Sequence, residues 1–176
     1  MLLAQLTLSP LCSADLFDVY ANKDYDAYFE YSAKRYLDPY YGDDWKLLKA
    51  QGIQESLLDP RARSHAGAMG IMQFMPATWA EVSAKLGLNA SPYNARASIV
   101  AGGFYQRQML RVWTSERTEQ ERRRWAWSAY NYGVGNVLKA QKQANGTLDW
   151  WSLRPYLPQE TILYVYKIEK HWRIIK

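Results

Sequence analysis

Apolar residues recur along most of this chain with the period of an α-helix, and no segment keeps a sustained two-residue alternation. This pattern predicts an all-α protein with at most a minor hairpin. The predicted helices cover residues 15–20, 24–37, 44–57, 76–86, 95–113 and 118–130, a segment from 136 to before 145, and a last helix from 158 to about 172.

Local signals place several helix ends. The pair Asp38-Pro39 predicts the end of the second helix, because a residue before proline disfavours helical backbone. Pro76 suits the first turn of a helix, and Thr118 precedes Glu121 with the spacing of a capping box. Asn136 is predicted to cap the helix that follows it.

The segment 44–57 predicts a buried central helix rather than a surface one. Its charged residues are limited to Asp44, Lys46, Lys49 and Glu55. Small and apolar residues surround most of the helix, and Trp45, Leu48, Gly52 and Glu55 share one stripe at the helical period. We therefore expect the Glu55 carboxyl to emerge where packing is dense.

A buried carboxyl at Glu55 permits two interpretations. Burial without a partner raises the pKa of a carboxyl, and a carboxyl protonated near neutral pH is what a general acid requires. Alternatively, Glu55 is an ordinary carboxylate at a helix end that reaches water or Arg61. Taken alone, one carboxylate is weak evidence and favours the second interpretation.

Two glycine-containing loops favour a ligand groove. The first, residues 64–76, interleaves glycines and alanines with Gln73 and the flexible side chains of Met72 and Met75. The second ends an apolar helix at residues 129–135 with a Gly-x-Gly sequence. Small residues leave room for a ligand, and an amide can hydrogen-bond a polar one.

The ordered motifs of the chain resemble the soluble lytic transglycosylase (SLT) domain, which shares the goose-type lysozyme fold. The motifs are Glu55-Ser56, Ser64-x-x-Gly67-Ala68, Gly70-Ile71-Met72-Gln73, Ala129-Tyr130-Asn131, and Glu160-Thr161 with Tyr164-Val165. The resemblance covers roughly residues 40 to 173 and implies a lysozyme-like helical domain around the central helix. Ile71 replaces the leucine usual in the family, and Tyr132 replaces an alanine at the loop mouth.

The resemblance also divides the chain. It implies an SLT-like catalytic domain at residues 40–176, preceded by a helical extension at residues 1–39. The aromatic content of the extension predicts that it packs on the domain rather than trailing as a linker.

Glu55 is the catalytic residue that the resemblance implies, acting on bacterial peptidoglycan. It would protonate the oxygen that links N-acetylmuramic acid to N-acetylglucosamine, and then accept the proton of the muramic C6 hydroxyl as that hydroxyl attacks C1. Most glycosidases use two carboxylates. The nearby Asp59 precedes Pro60 and is better interpreted as a turn residue. One carboxylate can suffice if the substrate supplies the nucleophile, as the resemblance implies.

The resemblance implies substrate-binding roles for seven further residues, which are Ser64, Gln73, Met75, Tyr130, Asn131, Glu160 and Tyr164. Met75 and Tyr130 would line the groove, and Tyr164 would direct its hydroxyl to Glu55. Four of the polar members have a structural alternative. Ser64 could cap its loop, the amides of Gln73 and Asn131 could satisfy loop backbone, and Glu160 could be a first-turn helix charge.

Composition narrows the function classes. At 176 residues the chain suits one domain, and 15% aromatic residues can pack a core or stack on sugars. The net charge of +5 suits anionic partners, but no nucleic-acid-binding motif accompanies it.

The single Cys12 excludes an internal disulfide. His65 and His171 lack metal-ligand spacing, so we expect no metal or cofactor. The charge run 116–124 is interpreted as a solvated helix start.

The location of the protein is predicted with less detail. No run reaches transmembrane length, and residues 1–11 make a poor signal peptide. We expect a monomer that acts in the bacterial envelope, made in the cytoplasm and released as a phage lysin. A secreted housekeeping enzyme fits less well, and a wall-penetrating component of a virion or secretion machine stays open.

Four functions remain in competition at this point. The first is a lytic transglycosylase, and the second is a lysozyme-like muramidase in which water attacks C1. The third is a non-catalytic wall-binding or assembly module, against which the intact set of motif residues argues. The fourth is a basic nucleic-acid binder, which would retain DNA at raised salt.

Overall fold

The computed structural model describes residues 13–114 and 116–175, and in this part of the chain it confirms the all-α prediction. The helices are α1 (Ser13–Ala21), α2 (Asp26–Tyr36), α3 (Asp38–Tyr41), α4 (Lys46–Ser56), α5 (Pro76–Leu86), α6 (Ala95–Val112), α7 (Glu119–Tyr132), α8 (Val134–Gln143), α9 (Trp150–Leu153) and α10 (Gln159–Ile175), with a 3-10 turn at Arg154–Tyr156. The only β-type pairings among these residues are isolated bridges of Met69 with Arg63 and with Phe74. Cys12 and the segment 1–11 lie outside the described residues.

Helix α4 is the central buried helix, as predicted. It packs mainly against α10 and also against α2, while α6 and α7 close the remaining sides through their contacts with α2 and α10. Leu48, Ala50 and Ile53 on α4 are fully buried. Burial on every side explains why its sequence lacks a polar face.

Lys49 is a charge inside this buried helix, and its environment neutralises it. Its ammonium nitrogen lies 2.6 Å from the Asp26 carboxylate and donates to the Asn22 carbonyl at 2.5 Å. Asp26 is the first residue of α2, and Asn22 lies in the turn between α1 and α2. A buried lysine is tolerated when it is paired in this way, so the contact fixes α2 against the central helix.

The N-terminal helices contribute directly to the core. Phe29, Ala33 and Leu37 are almost fully buried within it. Helix α1 packs on α10, where the Tyr20 hydroxyl lies 2.9 Å from Nδ1 of His171. The domain boundary at residue 39 stays a prediction.

Most predicted helix ends agree with the structure, and the exceptions are local. Helix α2 ends before Asp38-Pro39, but this proline then opens the short helix α3. The prediction that Asn136 caps α8 is wrong, because the helix begins at Val134 after Gly133. Gly133 adopts φ +88°, which reverses the chain without a capping side chain. Asn136 instead donates its amide to the Tyr132 carbonyl.

The solvated interpretation of the charge run 116–124 is wrong at Arg124. This residue is buried, and its guanidinium makes a two-point contact with Glu169 on α10 at 2.8 and 3.4 Å. It also donates to Glu121 at 3.1 Å. Glu121 does not complete the predicted capping box. Its other carboxylate oxygen accepts the backbone N–H of Trp150, so one network joins α7, α9 and α10.

Candidate active site

Glu55 lies in the last turn of α4 and is half-buried. The helix ends because Leu57 and Leu58 both adopt left-handed backbone, with φ 56° and 65°. Two such residues in succession are uncommon outside glycine and turn the chain sharply. Ser56 then donates its hydroxyl to the Ile71 carbonyl at 2.9 Å, which joins the helix end to the following loop.

That loop, residues 60–75, is held by its own polar side chains. The Ser64 hydroxyl accepts the Ala68 N–H at 3.0 Å, and the Gln73 amide nitrogen donates to the Gly70 carbonyl at 2.9 Å. Gly70 has φ +72°, and a Cβ there would lie 2.0 Å from the Pro92 carbonyl oxygen. Only glycine fits this position, which explains why the motif at residues 70–73 begins with Gly70.

Helix α7 brings Tyr130 and Asn131 to the same loop. The Tyr130 hydroxyl donates to the Met72 carbonyl at 2.9 Å, and the Asn131 side-chain oxygen accepts from the Thr161 hydroxyl of α10 at 2.8 Å. Side-chain hydrogen bonds therefore join the last turn of α7 to the loop and to the start of α10, around the end of α4.

Tyr164 on α10 makes the hydrogen bond to Glu55 that was expected of it. Its hydroxyl donates to Oε1 of Glu55 at 2.5 Å and accepts from the side-chain nitrogen of Gln51 at 3.2 Å. Gln51 is fully buried on α4, one turn before Glu55. The order of donation along this chain of side chains is Gln51 to Tyr164 to Glu55.

Burial raises the pKa of Glu55 to about 8, and the hydrogen bond from Tyr164 opposes that rise. At neutral pH the carboxyl is therefore mainly protonated. The alternative partner Arg61 is exposed, and its guanidinium lies 3.8 Å from Asp59. The general-acid interpretation of Glu55 thus has the electrostatic environment that it requires.

The raised pKa predicts how Glu55→Gln changes stability with pH. A carboxyl with a folded pKa of about 8 and an ordinary value of 4.5 stabilises the fold fully below pH 4.5. That stabilisation is lost progressively between pH 4.5 and about 8, and is absent at higher pH. The unfolding free energy of the variant should therefore gain on that of the wild type by up to ~1.4 kcal/mol per pH unit across this window. Urea unfolding at several pH values measures this, and a constant difference would contradict the assigned burial.

An open cleft of about 110 Å³ adjoins this cluster. Its walls are Gln73, Phe74, Met75, Thr78, Tyr105, Tyr130, Asn131, Tyr132 and Gly133. Four of the seven predicted substrate-binding residues therefore line one cavity, whereas Ser64, Glu160 and Tyr164 are not part of its walls. Glu55 is not part of the walls either, and lies next to the cleft through its contact with Tyr164. Tyr132, the departure from the family pattern at the loop mouth, lies in the wall.

Met75 and Glu160 both lie at the start of a helix. Met75 immediately precedes α5, with Pro76 in its first turn. Glu160 lies in the first turn of α10, where burial raises its pKa. Asp59 accepts the Arg61 N–H at 2.8 Å, which confirms its role as a turn residue. In the described ranges, no cluster of His, Cys, Asp and Glu has the geometry of a metal site.

The comparisons with known proteins agree with this geometry. Residues 34–153 match the transglycosylase SLT domain model. The chain belongs to this family. It is 33% identical over 138 residues to membrane-bound lytic murein transglycosylase F 1 of Alkalilimnicola ehrlichii, and 32% identical over 124 residues to membrane-bound lytic murein transglycosylase F of Yersinia pestis strain Pestoides F. These alignments cover 76% and 68% of the chain.

A solved structure shares the fold. The 70 kDa soluble lytic transglycosylase of Escherichia coli matches with a TM-score of 0.67 and 24% identity over 85% of the chain. The chain spans about a quarter of the length of these relatives, because the matches cover 26%, 24% and 24% of them. The predicted lysozyme-like SLT fold is confirmed. Among the described helices, none is long and apolar enough to cross a bilayer.

The sequence did not predict several residues that the structure places at this site. Gln51 and Thr161 each bond a predicted residue, and Thr78 and Tyr105 line the cleft. Gln51 had one available signal, since it is a polar residue four positions before Glu55 in an apolar helix. Thr161 is part of the Glu160-Thr161 motif but was given no role of its own, and Thr78 and Tyr105 carry no spacing that distinguishes them from ordinary helix residues.

Proposed function

We propose that this SLT domain is a lytic transglycosylase that cleaves the β-1,4 bond between N-acetylmuramic acid and N-acetylglucosamine in peptidoglycan. The observation that carries the proposal is the position of the Glu55 carboxyl, which accepts a hydrogen bond from Tyr164 at the end of a buried helix, where burial raises its pKa. Relatives named lytic murein transglycosylases support it.

In the proposed mechanism Glu55 acts first as an acid and then as a base. Tyr164 bonds Oε1, so Oε2 can carry the proton to the glycosidic oxygen as the bond from that oxygen to C1 breaks. The ionised Glu55 then takes the proton of the muramic C6 hydroxyl, and O6 bonds to C1. The product is a 1,6-anhydro ring, and no water is consumed.

Each polar residue around the cleft uses one side-chain atom for a hydrogen bond within the protein. We assign the other atom, or the hydroxyl hydrogen, to a hydrogen bond with the substrate. The nitrogen of Gln73 bonds backbone carbonyls, so its oxygen would accept from a sugar hydroxyl. The oxygen of Asn131 accepts from Thr161, so its nitrogen would donate. Ser64 would donate its hydroxyl hydrogen to the acetamido or lactyl group. This division combines the structural and the binding roles.

Apolar and acidic residues complete the assignment. Met75 and Tyr130 would pack beside the sugar rings at the cleft wall, and Glu160 would lie near the stem peptide. The setting that we propose is the bacterial cell envelope, where relatives are named membrane-bound murein transglycosylases. A monomeric state and release as a phage lysin stay predictions.

The proposal is tested by incubating the purified chain with insoluble peptidoglycan and measuring soluble muropeptides. We expect release of muropeptides without added metal or cofactor. Sedimentation of the protein with peptidoglycan, but with no release, would instead favour the wall-binding module. Retention on DNA at raised salt, with neither of these, would favour the nucleic-acid binder.

Tyr164→Phe is expected to move the alkaline limit of activity to higher pH. The Tyr164 hydrogen bond favours the ionised form of Glu55 and lowers its pKa, so loss of the hydroxyl raises that pKa further. The acid form then persists to higher pH. Rates of muropeptide release between pH 5 and about 10 measure the shift. Movement of the limit toward lower pH would contradict the direction of this hydrogen bond.

A further inference from the structure

Gln51 occupies a position where a polar side chain is unexpected. It is fully buried on α4, and its amide nitrogen donates to the Tyr164 hydroxyl at 3.2 Å. Its amide oxygen is also buried and has no hydrogen-bond partner among the described residues. An apolar residue of similar size would avoid this unsatisfied acceptor, so the stability of the fold does not account for the amide.

The amide N–H restricts what the Tyr164 hydroxyl can do. A tyrosine hydroxyl has one hydrogen to donate, and its oxygen can accept. When Gln51 donates to that oxygen, the hydrogen is left for Oε1 of Glu55, which lies 2.5 Å from the hydroxyl oxygen. Without Gln51 the same oxygen could accept the acid proton of Glu55. That proton would then point away from the substrate.

We propose that Gln51 is a positioning residue, which fixes Tyr164 as a donor to Glu55 and keeps the acid proton on the oxygen that faces the substrate. The inference deepens the proposed function and rests on it. Gln51 itself touches no substrate. Its role would be to set the direction of the hydrogen bond between Tyr164 and Glu55.

The titratable groups that act on Glu55 come from two neighbouring helices. Tyr164 reaches it from α10, and Tyr130 interacts with it electrostatically from α7. The Tyr130 hydroxyl is directed to the Met72 carbonyl. Tyr164 is therefore the group through which a change at Gln51 reaches Glu55.

The test compares Gln51→Met, Tyr164→Phe and the double variant. Methionine has a similar length and removes the amide donor, and Gln51→Leu serves if the methionine variant does not fold. A carbon-13 titration of the Glu55 carboxyl, assigned by its absence in Glu55→Gln, measures the pKa directly. We expect Gln51→Met to raise this pKa by roughly half a unit to one unit, without lowering the melting temperature. In the Tyr164→Phe background it should add no further shift.

Gln106→Met is the matched control. Gln106 is the other fully buried glutamine of the described core; it lies on α6 and interacts with the Tyr41 hydroxyl, away from Tyr164 and Glu55. Its replacement should leave the Glu55 titration unchanged. For muropeptide release, Gln51→Met should move the alkaline limit upward and lower kcat, with KM retained.

Two results would overturn the proposal: an unchanged Glu55 pKa in Gln51→Met, or a shift that persists in the Tyr164→Phe background. A purely structural Gln51 would give lower stability with an unchanged titration. Because the titration needs no substrate, it remains readable if the wild type releases no muropeptides, an outcome that would overturn the proposed function instead.

Discussion

Glu55→Gln is expected to lower the rate of peptidoglycan cleavage by roughly 10³-fold or more. The amide keeps the shape of the side chain and can still accept from Tyr164, but it cannot transfer a proton to the glycosidic oxygen. Sugar binding in the cleft and the helical fold should be retained. The loss should therefore appear in kcat, measured as the clearance of a turbid cell-wall suspension.

Asp59→Asn is the matched control for this change. It makes the same carboxyl-to-amide replacement four residues away, at an exposed turn residue whose side-chain oxygen accepts the Arg61 N–H. The asparagine oxygen can accept the same bond, so clearance should stay close to that of the wild type. Clearance by Glu55→Gln at a near wild-type rate would remove Glu55 from the mechanism.

Arg124→Met is expected to lower the free energy of unfolding by about 3–5 kcal/mol. The Glu169 carboxylate is buried beside Arg124, and the substitution leaves its charge without the guanidinium. Arg124 also bonds Glu121 and lies 5.0 Å from the ring centroid of Trp151. Guanidinium chloride unfolding, monitored by tryptophan fluorescence, measures the effect.

Lys85→Met provides the comparison. Lys85 pairs with Glu81 on the exposed surface of α5, so its loss should cost at most about 0.5 kcal/mol. Replacing Arg124 and Glu169 together by apolar residues should recover much of the loss, because no unpaired charge stays buried. Equal destabilisation by Arg124→Met and Lys85→Met would contradict the buried network.

Helices with local end signals could be predicted from the sequence. Pro76 opens α5, the Asn94 side chain accepts the Ala97 N–H at the start of α6, and Thr118 accepts the Glu121 N–H at the start of α7. These contacts span two or three residues, so sequence spacing reveals them. The short helix α9 was missed. Its cap is local, as Asp149 accepts the Ser152 N–H, but four residues give no hydrophobic period.

Contacts between distant segments could not be predicted from periodicity. Arg124 stood in a charge run typical of a solvated helix, and its partner Glu169 lies 45 residues further along the chain. A helical pattern contains no information about which helix covers a given face. Burial of this one arginine therefore emerges only from the packing of α7 on α10.

The site was predicted in part for a different reason. The pair Tyr164 and Glu55 is separated by 109 residues, and the prediction came from the resemblance to the SLT domain rather than from spacing. Gln51 lies outside the motifs and hydrogen-bonds Tyr164. Thr161 follows Glu160 within a motif and hydrogen-bonds Asn131. Their roles depend on side-chain directions, which the sequence does not specify.

The central claim is that Glu55 acts alone and that the substrate supplies its own nucleophile. The most direct test is mass spectrometry of peptidoglycan digested in heavy-oxygen water. We predict muropeptides that end in 1,6-anhydro-N-acetylmuramic acid, lighter by one water than muramidase products and without heavy oxygen at the new ends. Predominantly reducing ends that carry the heavy oxygen would show that water attacks C1, and would contradict the account.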